Sequence, residues 1–511
     1  MTKPAVNPWL IAMVVSLATF MEVLDTTITN VSLRHIAGSL AAGQEESTWV
    51  LTSYLVANGI ILPLSGWLSE VIGRKRFFIG CILGFTLASF FCGAADSLVE
   101  LVIFRILQGA AGGGLQPMQQ AIILDSFPPQ KRGAVFAITG ITMIAAPIIG
   151  PTLGGVITDH WSWNWIFYIN VPVGLFAAFM VWRLVEDPPH AMARGLKQLD
   201  VVGLSLVTLG LAALQIVLDK GQQEDWLASH LILASAVISF FCLAAAALWL
   251  WNRSEAIVDL SLLKDWSFTA SCLLIFLTGF VLYGGSALLP MLVQSQLGYD
   301  ATLAGMILSP GGLAVIVFMP LVGKLIGRIE ARYLIVLGLV LMSFGMFHTT
   351  ELTPDIDYET LVLMRITQVL GLPFLFIPIS TLAFSHIPKE RSNKASALYA
   401  LFRNLGGSIG IAIATTLLAS GMQRHQHHLA EHLVPGNPNY VQWLARLTQL
   451  TGDVAAAKQV AYAELLKQAA ILSYIDVFRV MGIGALVAVV IAAFTLPANR
   501  PVARGAAPAA H

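Results

Sequence analysis

The stretch ATFMEVLDTTITNV, Ala18 to Val31, sits inside the first long apolar run of the chain and places Glu22 and Asp25 about one helical turn apart. In a membrane-embedded segment each carboxylate costs roughly 2.5–3.5 kcal/mol or more, and such ionisable groups are functional candidates by default.

Composition supports the membrane reading. Of 511 residues, 57% are hydrophobic and 11% charged, with a mean hydropathy of +0.76, whereas soluble domains carry about 25% charged residues. Lysine plus arginine equals aspartate plus glutamate at 29 each, which points to no nucleic-acid partner. Cys81, Cys92, Cys242 and Cys272 fall in apolar runs without CxxC or Cys/His spacing. They read as buried hydrophobes, not as a disulfide framework or a metal site. No Walker A loop, nucleophile elbow or HExxH occurs, so the chain reads as a non-enzyme without a cofactor. The first apolar run follows Lys3 and lacks a small-residue cleavage site, so it reads as a spanning helix and not a cleaved signal.

Apolar windows of roughly 20 residues give about fourteen spans, from 9–32 and 47–68 to 395–418 and 474–496. Nineteen of the 29 basic residues fall in the tails and in one set of alternate loops, among them Arg74, Lys75 and Arg76, Lys131 and Arg132, and Lys389, Arg391 and Lys394. By the positive-inside rule these loops and both termini are cytoplasmic. The segment 419–473 then becomes a long outer loop. Its MQRHQHHLAEH places His428 and His432 at i,i+4, yet no further ligand set completes a metal site, and a solvated polar helix is the better reading.

A faint duplication runs through the chain. PLSGWL from Pro63 recurs as PLVGKL from Pro320, offset by 257, and RILQG from Arg105 as RITQVLG from Arg365, offset by 260. Two halves of six helices, residues 1–198 and 253–511, then flank two inserted helices in 199–252, with a substrate path between the halves near the midplane.

Helical rise puts Asp25 and Arg105 at similar depth, on the order of 10 Å below the outer surface, and Glu22 deeper. Desolvation favours a neutral acid and a nearby arginine favours its carboxylate, so an acid held between them can take and lose a proton. A permanent ion pair that only fixes helix packing is the other reading of Asp25 and Arg105. Glu22, Thr26, Asn30, Gln108 and Gln116 suggest a wet substrate cavity, or else hydrogen bonds that hold helices together. Arg365 and Arg403 are intramembrane candidates in the second half, where no acid stands at the position of Asp25.

These motifs resemble the major facilitator superfamily, and more closely its fourteen-helix drug:proton antiporter branch. GWLSEVIGRKR, Gly66 to Arg76, is similar to the signature loop whose charged groups latch the cytoplasmic gate. It carries Gly66, Glu70, Gly73 and Arg74, with Glu70 where the family usually has aspartate and Val71 where it often has arginine. RILQG with Arg105, Gln108 and Gly109 resembles the fourth-helix motif associated with proton transfer. APIIGPTLGG looks like the antiporter motif, with Gly150, Pro151, Gly154 and Gly155 in place and Ala146 replacing its first glycine. LDTTITNV resembles the first-helix signature carrying Asp25; Glu22 lies outside it, and Arg34 departs from its following proline. WNWIFYINVPVG and FRNLGGSIG are further matches.

The resemblance implies an all-α polytopic membrane protein with the major facilitator fold of fourteen transmembrane helices. It implies a proton-driven antiporter exporting amphipathic toxic compounds from the bacterial inner membrane, energised by the proton gradient without a cofactor. The long outer loop looks like that of EmrB-type or FarB-type pumps, which work with a periplasmic adaptor and an outer-membrane channel. A transporter of another solute (fatty acid, siderophore or metabolite) and a non-transporting membrane sensor or scaffold are the alternatives.

Overall fold

The computed structural model describes residues 7–187, 200–251, 253, 257–326 and 328–496, and all regular structure among them is helical. Thirteen helices are long and apolar enough to cross a membrane, and a pair bent by 42° supplies a fourteenth span. In chain order the spans are α1 (Pro8–Ser39), α2 (Trp49–Ile72), α3 (Arg74–Gly93), α4 (Leu98–Ser126), α5 (Pro129–His160), α6 (Trp165–Leu184) and α7 (Val201–Lys220). They continue as α8 (His230–Leu250), α9 (Trp266–Ser295), α10 (Ala301–Leu325), α11 (Ala331–His348), α12 (Tyr358–Ala383), α13 (Ser392–Ala430) and α14 (Val454–Thr495).

Helices satisfy every backbone group internally, which a lipid-exposed segment requires, and polar caps set where they start. Asp200 Oδ1 accepts from Gly203 N at 2.9 Å to open α7, Asp265 from Phe268 N at 2.8 Å to open α9, and Asp300 from Leu303 N at 2.7 Å to open α10. The spans α4 and α12 are each broken midway, at Gly113–Gly114 and at Leu370–Gly371. The break therefore recurs where the sequence repeats. Close helix approach uses small residues: a Cβ at Gly406 of α13 would stand 2.1 Å from the Phe276 carbonyl of α9.

Contacts among Arg74, Asp125 and Asn393, and between Arg132 and the Phe384 carbonyl, gather the basic turns at one end of the bundle, the basic end. Lys3, Arg194, Lys197, Arg500 and Arg504, and the proposed boundaries at 198/199 and 252, lie outside the described residues. Among the strongest packings, α1 lies on α5, α9 on α13, α2 on α13 and α10 on α5, while α7 lies on α8 and α2. Phe240, Phe241 and Leu248 of α8 are exposed, as lipid-facing residues are in a spanning helix.

The segment 419–473 is not the loop that hydropathy suggests. α13 runs on to Ala430, a helix spans Pro438–Thr451, and α14 starts at Val454. Hydropathy windows end where polar residues begin, but strong helix formers such as those of AAAKQVAYAELLKQ continue a helix regardless of polarity. The 42 residues of α14 extend about 63 Å, roughly twice the hydrocarbon core. In this extension Arg424 Nη2 and His425 Nε2 each lie 2.8 Å from Asp476, and His428 lies 3.9 Å from Glu431. Among the described residues no three His, Cys, Asp or Glu side chains are arranged to hold a metal.

Candidate functional site

Asp25 of α1 and Arg105 of α4 meet in the bundle interior, both side chains fully buried, with Arg105 Nη1 2.6 Å from Asp25 Oδ2. Gln108, one turn on from Arg105, donates from Nε2 to Asp25 Oδ1 at 2.9 Å, and Asn170 of α6 donates to the same oxygen at 2.7 Å. Three donors from two helices thus hold a carboxylate in apolar surroundings. Arg105 is itself fixed, by Nε to the Val50 carbonyl at 3.1 Å, by Nη1 to Gln108 Oε1 at 2.7 Å, and by stacking 4.3 Å from the Tyr54 ring centroid. Buried polar networks of this kind are held by the full mutual satisfaction of their members.

Glu22 lies one turn deeper. Asn58 Nδ2 of α2 donates to its Oε1 at 3.0 Å, and the Gln116 side chain of α4 stands beside the carboxylate. Beside it Arg403 of α13 donates to Gln116 Oε1 of α4. Gln116 and Arg403 line a cavity of about 30 Å³ together with Gln119, Phe136, Phe376 and Tyr399. That volume holds a water or two. In this conformation the polar groups of the wall leave room for little besides water.

Other expected cavity residues sit elsewhere. Gln108 belongs to the Asp25 network, Thr26 donates to its own helix at the Val23 carbonyl at 2.8 Å, and Asn30 is exposed. Glu22 is not part of the cavity lining. The 3.6-residue period places these groups on helix faces, but how those faces are rotated against neighbours is a property of the packed bundle.

At the basic end the loop between α2 and α3 is locked onto the start of α13. Gly73, at φ 93°, makes the turn that only glycine adopts freely. Arg74 pairs with Asp125 and donates to Asn393 Oδ1 at 3.2 Å, and Glu70 Oε2 lies 3.4 Å from Lys394 Nζ. A Cβ at Gly66 would stand 2.9 Å from the Lys394 Cα, so the helices touch by backbone.

The bend in α5 separates Gln130–Pro147 from Thr152–His160. Proline cannot donate its backbone hydrogen bond and clashes with the preceding turn, which accounts for the kink in a segment holding Pro147 and Pro151; the Pro151 side chain lies outside the described residues. Past the bend α5 presses on α1: a Cβ at Gly150 would meet Thr27 Oγ1 at 2.1 Å, and one at Gly154 would meet the Ile28 Cα at 3.3 Å. Gly155 is buried beside them. In the second half Arg365 Nη1 donates to Gln368 Oε1 at 3.3 Å, the same i,i+3 relation as Arg105 with Gln108.

Asn58, Asn170, Asp125 and Tyr399 join these sites without having been singled out in the sequence, and Lys394 was read there only as part of the basic pattern. Isolated amides and acids inside apolar runs were the available signal, and Asn170 lies within the quoted WNWIFYINVPVG.

A family model described as Major Facilitator Superfamily matches residues 15–411. The multidrug export protein EmrB of Haemophilus influenzae is 34% identical over 489 residues, 96% of each chain. The fatty acid resistance protein FarB of Neisseria gonorrhoeae is 36% identical over 448 residues, 88% of each chain. Among solved structures, the proton:xylose symporter XylE shares the fold with a TM-score of 0.60 at 13% identity, covering 94% of each chain. The chain therefore belongs to the Major Facilitator Superfamily and is a multi-pass membrane transporter.

Proposed function

We propose that this transporter exports amphipathic toxic compounds across a bacterial inner membrane in exchange for protons, by alternating access between two six-helix halves, residues 1–198 and 253–511. The observation that carries the proposal is the buried Asp25–Arg105 pair. It is a charge-dependent contact between α1 and α4, and α4 also lines the cavity that it shares with α13. A proton arriving from outside neutralises Asp25, loosens its hold on Arg105 and favours the outward-open state. Its loss to the cytoplasm restores the pair. The bias comes from the different affinity of the two states for the proton. In this reading the basic end and both termini are cytoplasmic, in accord with the positive-inside rule. Glu70, Arg74, Gly66 and Gly73 form the inner latch, and Gly150, Pro151, Gly154 and Gly155 set how α5 rides on α1. The relatives named for multidrug export and fatty acid resistance support export as the direction.

The cavity wall sharpens the substrate class. The Arg403 guanidinium is a charged group of the lining, so an acidic head group can replace Gln116 as its partner while an apolar tail lies along Phe136 and Phe376. The extended helices of α13 and α14, with Pro438–Thr451, supply the outer surface for a periplasmic adaptor and, through it, an outer-membrane channel.

The test is transport in proteoliposomes with an imposed pH gradient, using a long-chain fatty acid and a lipophilic cationic dye as probes. Gradient-dependent movement of the acid, lost in Asp25→Asn, is expected. Movement that persists after the gradient is collapsed removes the antiport reading, and movement of neither probe removes the substrate class.

A further inference from the structure

Resting on the assignment of the basic end to the cytoplasm, we infer that the inserted pair α7 and α8 is a moving part of the outer gate. It travels with α2, and Gln215, oriented by Asp219, makes the separable contact with Ser408 of α13 that closes the outer end of the seam between α2 and α13.

Two helix pairs carry much of the contact between the halves, α2 with α13 and α5 with α10. Alternating access requires each seam to part at one end while it closes at the other. α7 leans on the first seam near its outer end, and it touches the two flanking helices in unequal ways. Toward α2 the link is charged: buried Lys220 contacts Thr48 Oγ1 at the start of α2, and its Nζ lies 5.0 Å from the Trp49 ring centroid. Ammonium hydrogen bonds and cation–π contacts are the stronger kind.

Toward α13 the link is neutral and long. Gln215 Nε2 donates to Ser408 Oγ at 3.3 Å, and Ser408 Oγ can donate back to Gln215 Oε1 at 3.4 Å. When the halves part, the weaker contact is the one that breaks, so α7 stays with α2.

Asp219 fits a contact built to open. Its Oδ1 accepts from Gln215 Nε2 at 3.1 Å, which turns the amide toward Ser408. Its carboxylate is buried beside Thr52 of α2, so the acid that orients Gln215 belongs to the α2 side of the seam. Gln215 lies five residues before Lys220, about 7–8 Å below the outer end of α7. Asp219 acts through Gln215 and is a positioning residue.

The experiment starts from the protein with Cys81, Cys92, Cys242 and Cys272 replaced by serine or alanine, and adds Gln215→Cys with Ser408→Cys. Oxidative cross-linking is expected to lower gradient-driven transport of the acidic probe at least tenfold, with recovery on reduction, while oxidation of the parent changes it less than twofold. Undiminished transport with the cross-link formed overturns the proposal. If the parent itself moves no probe, the export reading has failed, and spin-label distances then decide the gate alone. Labels at Glu224→Cys and Ser420→Cys should show two separations as pH and lipid are varied, and labels at Gly43→Cys and Glu224→Cys only one. A single fixed separation for the first pair, or two for the second, overturns it.

Discussion

Arg403 on α13 donates a hydrogen bond to Gln116 on α4, joining residues 287 positions apart at the wall of the central cavity. Parting α4 from α13 must break this bond. An acid that enters there can take the place of the glutamine oxygen on the guanidinium, whose other interactions include Asn404.

Arg403→Ala is therefore expected to raise the KM for a long-chain acid about tenfold, equivalent to about 1.4 kcal/mol. A cationic dye should be affected less than threefold, and Arg403→Lys should recover part of the loss. Initial rates over a range of probe concentrations in proteoliposomes decide it. An equal loss for acid and cation would mean that Arg403 only holds the helices.

Asp25→Asn keeps the shape of the side chain but leaves Arg105 without its counter-charge. Removing one partner of a buried pair typically costs about 3–5 kcal/mol, so a lower melting temperature in detergent is expected even in protein that remains monodisperse. Gradient-driven transport should fall at least a hundredfold, whereas exchange of labelled for unlabelled substrate without a gradient should fall much less. Parallel loss of both would make the pair structural.

Glu70 and Lys394 face one another at 3.4 Å with both side chains largely covered. Glu70→Lys or Lys394→Glu should each weaken the closed basic end and increase labelling of a cysteine introduced at Gln119 by a thiol reagent applied from that side roughly fivefold. The double exchange should return labelling toward the original value. Failure of the double variant to recover, with both single variants folded, would show that the pair contributes no coupling of its own.

The contact of α5 with α1 allows no side chain at Gly150, where an added Cβ would stand 2.1 Å from Thr27 Oγ1. Gly150→Val should cost about 1–3 kcal/mol through overpacking and lower transport at least tenfold. Gly59 has nothing within 4 Å of an added Cβ, so Gly59→Ala should change melting temperature by no more than about 2 °C. Comparable losses at the two positions would remove close packing as the reason for Gly150.

The Asp25 site was legible in good part from ATFMEVLDTTITNV and RILQG, because two charges at matching depth inside apolar helices have few other partners. Its third donor, Asn170, was not, since α6 supplies it from 145 positions away. Glu22 was rightly conspicuous as an intramembrane acid, but its partner Asn58 and its place outside the cavity lining depend on how α1 and α2 are rotated. Thr26 and Asn30 share a helix with the acids and still point elsewhere.

The sequence by itself determined the number of spans, their polarity pattern, and the duplication of Arg105 and Gln108 as Arg365 and Gln368. Each follows from local quantities: hydropathy over one bilayer thickness and the helical period. Only the tertiary structure decided which buried polar group satisfies which, from Arg74 with Asn393, 319 positions apart, to Gln215 with Ser408, 193 apart. A polar side chain in an apolar helix announces that it needs a partner; which one it finds is set by helix rotation and depth in the packed bundle.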